Sequence, residues 1–179
     1  MLYRKFYDEL VKWYKQEKKL ALLIDGARQI GKTTLIRQFA KDYYGDNFVE
    51  INFINPPSAR EIFVGDLSVD VIISKLTLFL RRPLTPHKTL IFFDEVQECL
   101  EVRTAIKFLV DDGRFDYIES GSLLGINYKE IKSYAVGYEE NRTMYPMDFE
   151  EFAIANGIQQ STFDMLKDCY EKRVPVDEF

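Results

Sequence analysis

The sequence predicts an α/β protein with a parallel sheet of about five strands and helices on both faces of the sheet. Short apolar runs such as residues 21–25 and 89–93 have the composition of strands that are buried on both faces. Segments with apolar residues at helical spacing separate these runs along the chain. Because strands that alternate with helices favour crossover connections, this pattern predicts a parallel sheet with helices packed on each side.

The strands are predicted from apolar runs, from alternation and from turn residues. They are expected at residues 21–25, 48–53, 89–93, 115–119 and 143–147. The last of these contains Pro146, which cannot donate to a central ladder, so we expect this strand at an edge of the sheet. Residues 123–142 are predicted to be irregular.

The helices are predicted from apolar residues that recur every three or four positions. They are expected over residues 3–16, 32–44, 69–81, 101–111, 148–155 and 161–173. Asp148 and Glu151 stand at the spacing of a capping box, which predicts a helix that begins just after Asp148.

The composition is that of an ordinary globular protein, with 179 residues, 46% hydrophobic and 30% charged. This length suits one domain and perhaps the start of a second. The net charge of −5 disfavours a whole-surface nucleic-acid binder. Nucleic acid stays a possible partner only through small basic groups such as residues 15–19 and 81–82, which are more often solvated faces.

The cysteines and the single histidine exclude several kinds of site. Cys99 and Cys169 are far apart and form no Cys-x-x-Cys motif, so two reduced thiols and a cytoplasmic location are expected. No apolar run approaches the roughly 20 residues that span a bilayer, and residues 1–20 do not resemble a secretory signal. His87 is the only histidine and lies in a predicted loop, which leaves little for a histidine metal site or a catalytic triad.

A phosphate-binding loop is the strongest motif in the chain. A buried strand precedes it and a helix follows it, which is the context that this motif requires. Lys32 can reach the β- and γ-phosphates of a nucleoside triphosphate, and the Thr33 hydroxyl can ligate Mg²⁺. We therefore expect ATP and Mg²⁺ to bind here. The predicted binding residues are Gly26, Ala27, Arg28, Gln29, Ile30, Gly31, Lys32, Thr33 and Thr34.

Two adjacent acidic residues end the strand predicted at residues 89–93. Asp94 can hold Mg²⁺ through a water, and Glu95 can orient and activate the attacking water by accepting its proton. Adjacent acids at a strand end can also form a solvated turn. The presence of Lys32 and Thr33 upstream favours the functional interpretation.

A polar segment ends the fourth predicted strand. Because ligands gather at the carboxyl ends of parallel strands, Ser120 is a candidate to hydrogen-bond the γ-phosphate or the attacking water. The alternative is an ordinary polar turn. The sequence does not separate Ser120 from Ser122 as the candidate.

Four segments together resemble one bacterial and archaeal family of AAA-type ATPases, in which a C-terminal domain of unknown function follows the ATPase domain. The segments are GARQIGKTT, FFDEVQEC, ESGSLLG and MYPMDFEEF. The resemblance implies an AAA-like P-loop NTPase core in which the sensor strand lies between the phosphate-loop strand and the acidic strand. It also implies Lys32 and Thr33 as phosphate and Mg²⁺ ligands, Asp94 and Glu95 as the acidic pair, and the Ser120 region as the sensor.

The resemblance also implies a division of the chain. Residues 1–147 are expected to form the ATPase core with its N-terminal helix. Residues 148–179 are expected to begin a lid or a linker, and the chain looks truncated after the core because family members continue beyond this length.

No arginine finger can be assigned from the sequence. Arg28, Arg103 and Arg142 are the candidates, and each is interpreted more readily as a salt-bridge residue than as a trans-acting finger. Because the absence of a finger lowers turnover by orders of magnitude, slow hydrolysis is expected.

The leading hypothesis from the sequence is an ATP hydrolase that couples the nucleotide state to a conformational change. One alternative is a nucleotide-gated interaction module with little turnover, read by a protein partner or by a second copy of the chain. A small-molecule kinase is less favoured because no arginine-rich lid segment follows residue 119. A GTPase is disfavoured because the chain has no Asn-Lys-x-Asp segment.

Overall fold

The computed structural model describes residues 2–122 and 137–176. Within these residues the sheet contains strands β1 (Ala21–Asp25), β2 (Phe48–Asn52), β3 (Leu90–Asp94), β4 (Asp116–Ser120) and β5 (Glu139–Thr143). The strands are ordered β2-β3-β4-β1-β5, and every neighbouring pair is parallel. The predicted α/β fold with a five-stranded parallel sheet is confirmed.

The described helices are α1 (Phe6–Tyr14), α2 (Lys32–Tyr43), α3 (Val69–Leu80), α4 (Leu100–Asp112), α5 (Phe149–Ala155) and α6 (Gln160–Lys172). Each lies where the sequence predicts it, and the capping box of Asp148 and Glu151 is present. Two short 3₁₀ helices, Pro57–Phe63 and Val96–Glu98, were not predicted. Among the residues that the structure describes, no helix is long and apolar enough to cross a membrane.

The fifth strand lies earlier in the chain than the sequence predicts. It occupies Glu139–Thr143 instead of residues 143–147, so the prediction of an irregular segment is wrong for residues 139–142. The rest of that segment, residues 123–136, lies outside the described residues. All five residues of β5 are polar, and backbone pairing with β1 holds them in place, so an apolar pattern could not reveal this strand. This strand does lie at an edge of the sheet, but Pro146, on which that prediction rested, lies outside it.

The apolar core has two layers, one on each face of the sheet. Helices α1 and α2 cover one face, where Trp13 and Phe39 lie against Ile24 and Phe92. Helices α3 and α4 and the first 3₁₀ helix cover the other face, where alternate strand residues point. The predicted arrangement of helices on both faces is therefore confirmed.

The central position in the sheet belongs to β4. Its Ile118 is in register with Leu22 of β1 on one side and with Phe92 of β3 on the other. Because these three strands run parallel, the segments that follow Asp25, Asp94 and Ser120 leave the sheet at the same edge. This order matches the one that the family resemblance implies.

Candidate active site

The loop between β1 and α2 requires glycine at two positions. Gly26 has a φ of 144°, and a Cβ atom there would lie 2.3 Å from the carbonyl oxygen of Met144. Gly31 has a φ of 94° and immediately precedes the first residue of α2. The loop therefore lies tightly against the segment that follows β5, and its backbone adopts conformations that favour glycine.

Lys32 points into the curve of this loop. Its Nζ atom donates to the carbonyl oxygens of Gly26, at 3.0 Å, and Ala27, at 2.7 Å. Burial lowers the pKa of the Lys32 ammonium below its ordinary value, and the nearby carboxylates of Glu95 and Asp94 oppose that shift. A partly buried ammonium group at this position is suited to form charge-assisted hydrogen bonds to a phosphate.

The carboxylate of Asp94 is the centre of a polar cluster. Thr33 Oγ1 lies 3.3 Å from its Oδ2 atom, and Asn52 Nδ2 donates to the same atom at 3.0 Å. Ser120 Oγ donates to Oδ1 in a short contact. Asp94 is only 3% exposed, so hydrogen bonds from neighbouring strands compensate for its burial.

Glu95 leaves the sheet in an unusual backbone conformation. Its φ of 60° places it in the left-handed region, which non-glycine residues occupy mainly where the surrounding structure imposes it. Gln97 donates from Nε2 to Glu95 Oε2 in a short contact, and its Oε1 atom accepts the Ser122 N–H at 3.4 Å. Gln97 therefore connects Glu95 to the segment that follows β4.

Two cavities adjoin each other at this edge of the sheet. The first measures about 480 Å³, and its walls include Lys32, Thr33, Glu95 and Ser122. The second measures about 720 Å³ and is lined mainly by apolar side chains. Gln29 and Gly31 of the loop and Thr34 of α2 line both cavities. A third cavity, of about 410 Å³, lies at the amino ends of β1 and β4 and is lined in part by His87.

A family model described as an AAA domain matches residues 18–153. The chain belongs to this AAA domain family. The AAA domain is also 27% identical over 131 residues to the uncharacterized protein MJ1544 of Methanocaldococcus jannaschii. That match covers 73% of this chain but only 27% of the relative, so the chain spans about a quarter of the relative's length.

Solved structures share the fold of the AAA domain at low sequence identity. The Pif1 helicase from Candida albicans aligns with a TM-score of 0.50 and 17% identity, over 99% of this chain and 46% of the helicase chain. A structure of Drosophila ORC bound to DNA aligns with a TM-score of 0.52 and 13% identity, over 84% of this chain and 94% of that chain. These similarities show a P-loop NTPase fold.

The AAA domain brings most of the residues predicted from sequence to one place. Lys32, Thr33, Asp94, Glu95 and the Ser120 region meet at the carboxyl ends of β1, β3 and β4. The remaining loop residues predicted to bind nucleotide lie between β1 and α2 or in the first turn of α2.

Two of the three arginine candidates form ion pairs away from this site. Arg103 is 5% exposed and contacts Glu119 and Glu139. Arg142 pairs with Glu9 and Glu140. Arg28 is exposed on the rim of the loop cavity.

Sequence reasoning missed Asn52 and Gln97. Asn52 ends β2 directly opposite Asp94 in the strand register, which accounts for its contact with that carboxylate. The available signal was weak: a polar side chain at the carboxyl end of a predicted strand. Gln97 follows the acidic pair by two residues, and only the turn of the 3₁₀ helix brings its amide back to Glu95.

Proposed function

We propose that this AAA domain binds ATP with Mg²⁺ and hydrolyses it to ADP and phosphate. The observation that carries the proposal is the meeting of Lys32 and Thr33, at the start of α2, with the acidic pair Asp94 and Glu95. Donors suited to phosphate and carboxylates suited to a metal and a water are thereby assembled around one cavity.

The loop and the start of α2 are proposed to hold the triphosphate. Successive backbone N–H groups between Gly26 and Lys32, together with the amino end of α2, offer donors and a partial positive charge. The Lys32 ammonium, now bonded to Gly26 and Ala27 carbonyls, would exchange these acceptors for the β- and γ-phosphate oxygens.

The donor set around Asp94 fits Mg²⁺. This ion prefers oxygen ligands, and Thr33 Oγ1 and the Asp94 carboxylate supply them 3.3 Å apart. Bound Mg²⁺ supplies charge neutralisation at the phosphate oxygens. Asn52 and Ser120 fix the orientation of the Asp94 carboxylate through their hydrogen bonds, so we assign them a positioning role.

Glu95 is proposed as the general base. It accepts a proton from a water whose oxygen attacks the γ-phosphorus, while the bond from that phosphorus to the β-phosphate oxygen breaks and releases ADP. The Gln97 amide holds the Glu95 carboxylate at the cavity wall. Ser122 lines the same cavity, whereas Ser120 faces Asp94. We therefore favour Ser122 for contact with the γ-phosphate and Ser120 for support of Asp94.

The second cavity is proposed to take the adenine base. Leu2, Ile30, Leu35 and Met147 give it apolar walls, and it shares part of the loop with the phosphate cavity. An aromatic base gains free energy when such walls remove it from water. A nucleotide could therefore extend from one cavity to the other across Gly31.

We propose that hydrolysis changes the conformation of α5 and α6, the helices that follow β5. We propose residues 1–147 as the catalytic core and residues 148–179 as the start of a lid or linker. A protein partner or a second copy of the chain would then respond to the nucleotide state. Drosophila ORC is bound to DNA in its structure, but the net charge of −5 gives little support to nucleic acid as the partner here.

The proposal is tested by titrating the protein with ATP, ADP and GTP, with and without Mg²⁺, and by measuring phosphate release without any added acceptor. Mg²⁺-dependent ATP binding with phosphate release supports hydrolysis. Tight ATP binding without turnover would favour the nucleotide-gated module, and ADP formation that requires an added metabolite would favour a kinase. The absence of nucleotide binding would contradict the proposal.

A further inference from the structure

Arg4 joins three separate parts of the chain beside the nucleotide-binding loop. Its Nη1 atom donates to the Ile30 carbonyl at 2.8 Å, inside the loop. Its Nη2 atom donates to the Tyr145 carbonyl at 2.7 Å, just after β5. Its Nε atom donates to Glu151 Oε1 at 3.3 Å, in α5. One planar guanidinium therefore fixes the distances between the loop, the segment after β5 and helix α5.

Glu151 is the acidic partner of Arg4. Its side chain is 6% exposed and that of Arg4 is 10% exposed, so water screens their ion pair only weakly. Glu151 Oε1 also accepts the Lys5 N–H at 2.7 Å, and Oε2 accepts the Asp148 N–H at 3.0 Å. Because the capping box fixes the same carboxylate, the start of α5 and the Arg4 side chain are ordered together.

The segment between β5 and α5 touches the loop a second time. The Met144 carbonyl lies where a Cβ atom on Gly26 would clash, and the Met144 N–H donates to the Asp25 carbonyl at 2.8 Å. The beginning of the loop is thus held through Met144 and its end through Arg4. A displacement of α5 is therefore expected to disturb the loop at one or both of these points.

Helix α5 is in turn connected to α6. Glu150 accepts from Gln160 at 2.8 Å and from Lys167 at 3.1 Å, and the rings of Phe149 and Phe163 are in edge contact. The side chains of Arg4 and Lys5 and the Lys5 N–H attach this helical unit to the N-terminal segment.

We propose that Arg4 is a positioning residue for the phosphate-binding loop and that the Arg4–Glu151 pair couples nucleotide binding to helices α5 and α6. Arg4 keeps the Ile30 carbonyl turned toward its guanidinium, so the loop is held in shape before a triphosphate arrives. This inference rests on the proposed ATP binding. By reciprocity, ATP that orders the loop must also stabilise α5, and a change that loosens α5 must weaken ATP binding.

The test compares the wild-type protein with Arg4→Met, Glu151→Gln and the double variant. The matched control is Arg114→Met. It removes an arginine that pairs with Asp70 near the amino end of β4, away from the loop. Two quantities are measured: ATP affinity with turnover, and hydrogen exchange of the α5 amides at residues 149–155 with and without ATP. Arg4→Met is expected to weaken ATP binding by about tenfold or more, because it removes charged hydrogen bonds to the loop. Because Arg4 also lines the second cavity, the hydrogen exchange of α5 decides between positioning of the loop and direct contact with the nucleotide.

Hydrogen exchange distinguishes positioning from a purely structural role. In the wild-type protein and in Arg114→Met, ATP should slow exchange in α5. In Arg4→Met and in Glu151→Gln this slowing should disappear, and the two substitutions should not be additive in their effect on ATP affinity. An Arg4→Met protein that binds ATP as the wild type does, with the same ATP-induced protection of α5, would overturn the proposal.

Arg4→Lys keeps the test decisive if Arg4→Met does not fold. A lysine keeps the charge near Glu151, but one ammonium cannot reproduce the forked contacts to Ile30 and Tyr145. Arg4→Lys should therefore fold and still bind ATP more weakly. Full rescue by lysine would show that only the charge of Arg4 matters, and it would contradict the proposal.

If the wild-type protein itself does not bind ATP, the proposed function fails. The coupling would then be judged from nucleotide-free exchange in the loop at residues 26–31, which Arg4→Lys should accelerate.

Discussion

The hydroxyl of Thr33 lies 3.3 Å from the Oδ2 atom of Asp94, although the two residues are 61 positions apart in the chain. Thr33 belongs to α2, which follows the loop after β1. Asp94 ends β3, which is two places away from β1 in the sheet. Two oxygen donors from different elements thus converge on a point where a hard cation could bind.

Asp94→Asn should abolish the dependence of ATP affinity on Mg²⁺. The amide keeps the shape of the side chain but loses the negative charge that attracts the ion. Titration of the variant with ATP in the presence and absence of Mg²⁺ should give similar affinities. The control is Asp46→Asn, at an exposed position between α2 and β2, which should retain the wild-type effect of Mg²⁺. A full Mg²⁺ effect in Asp94→Asn would contradict the assignment.

Lys32→Met should weaken ATP binding by at least about tenfold, because it removes the charged donor at the phosphates. Folding should be little affected, since burial already disfavours the ammonium and lowers its pKa. Equilibrium titration with ATP and urea unfolding measure the two effects separately. Lys41→Met changes an exposed lysine near the other end of the same helix and should leave ATP affinity unchanged.

Gly26→Ala should destabilise the protein by about 2–3 kcal/mol and impair nucleotide binding. The added Cβ would meet the Met144 carbonyl oxygen at 2.3 Å, at a φ that L-residues rarely adopt. Gly45→Ala is the matched control, since Gly45 also has a positive φ but nothing lies within 4 Å of its added Cβ. It should cost only about 1 kcal/mol. Similar losses in both variants, measured by urea unfolding, would argue against a tight contact at Gly26.

The burial of Glu119 predicts a pH dependence of the protein's stability. It is fully buried beside Arg103 and Glu139, and burial raises its pKa from 4.5 to about 8, opposed by the Arg103 charge. Between these two pH values the folded protein binds a proton that the unfolded chain has lost. The contribution of Glu119 to stability is therefore complete below about pH 4.5 and falls as the pH rises toward 8.

Glu119→Gln tests this dependence because the amide resembles the protonated acid and does not titrate. Urea unfolding at several pH values between 5 and 8 should show the wild type losing stability relative to Glu119→Gln, by no more than about 1.4 kcal/mol per pH unit. A difference between the two proteins that stays constant over this range would show that Glu119 does not take up the proton.

The positions of the loop between β1 and α2 and of the acidic pair could be predicted because each is contiguous in sequence and each follows a strand with a strong apolar pattern. Gly26, Lys32 and Asp94 therefore carry their signal locally. The supporting contacts could not be predicted in the same way. Asn52 reaches Asp94 only through the register of two strands, and Arg4 reaches Glu151 across 147 positions.

Strand β5 shows a different limit of sequence reasoning. Its residues are polar at every position, and its place at the edge depends on backbone hydrogen bonds to β1. Ion pairs of Arg142 with Glu9 and Glu140 reinforce that edge. Neither kind of interaction produces a hydrophobic period, so the sequence pattern predicts the strand at the next apolar segment instead.

The most direct test of the account is the rate of phosphate release by Glu95→Gln compared with that of the wild-type protein, at saturating ATP and Mg²⁺, with ATP affinity measured in parallel. The amide retains the size of Glu95 but cannot accept the proton of the attacking water. We predict that turnover falls by at least about a hundredfold, the usual contribution of a general base, while ATP affinity changes little. Hydrolysis by Glu95→Gln at the wild-type rate would contradict the proposed mechanism.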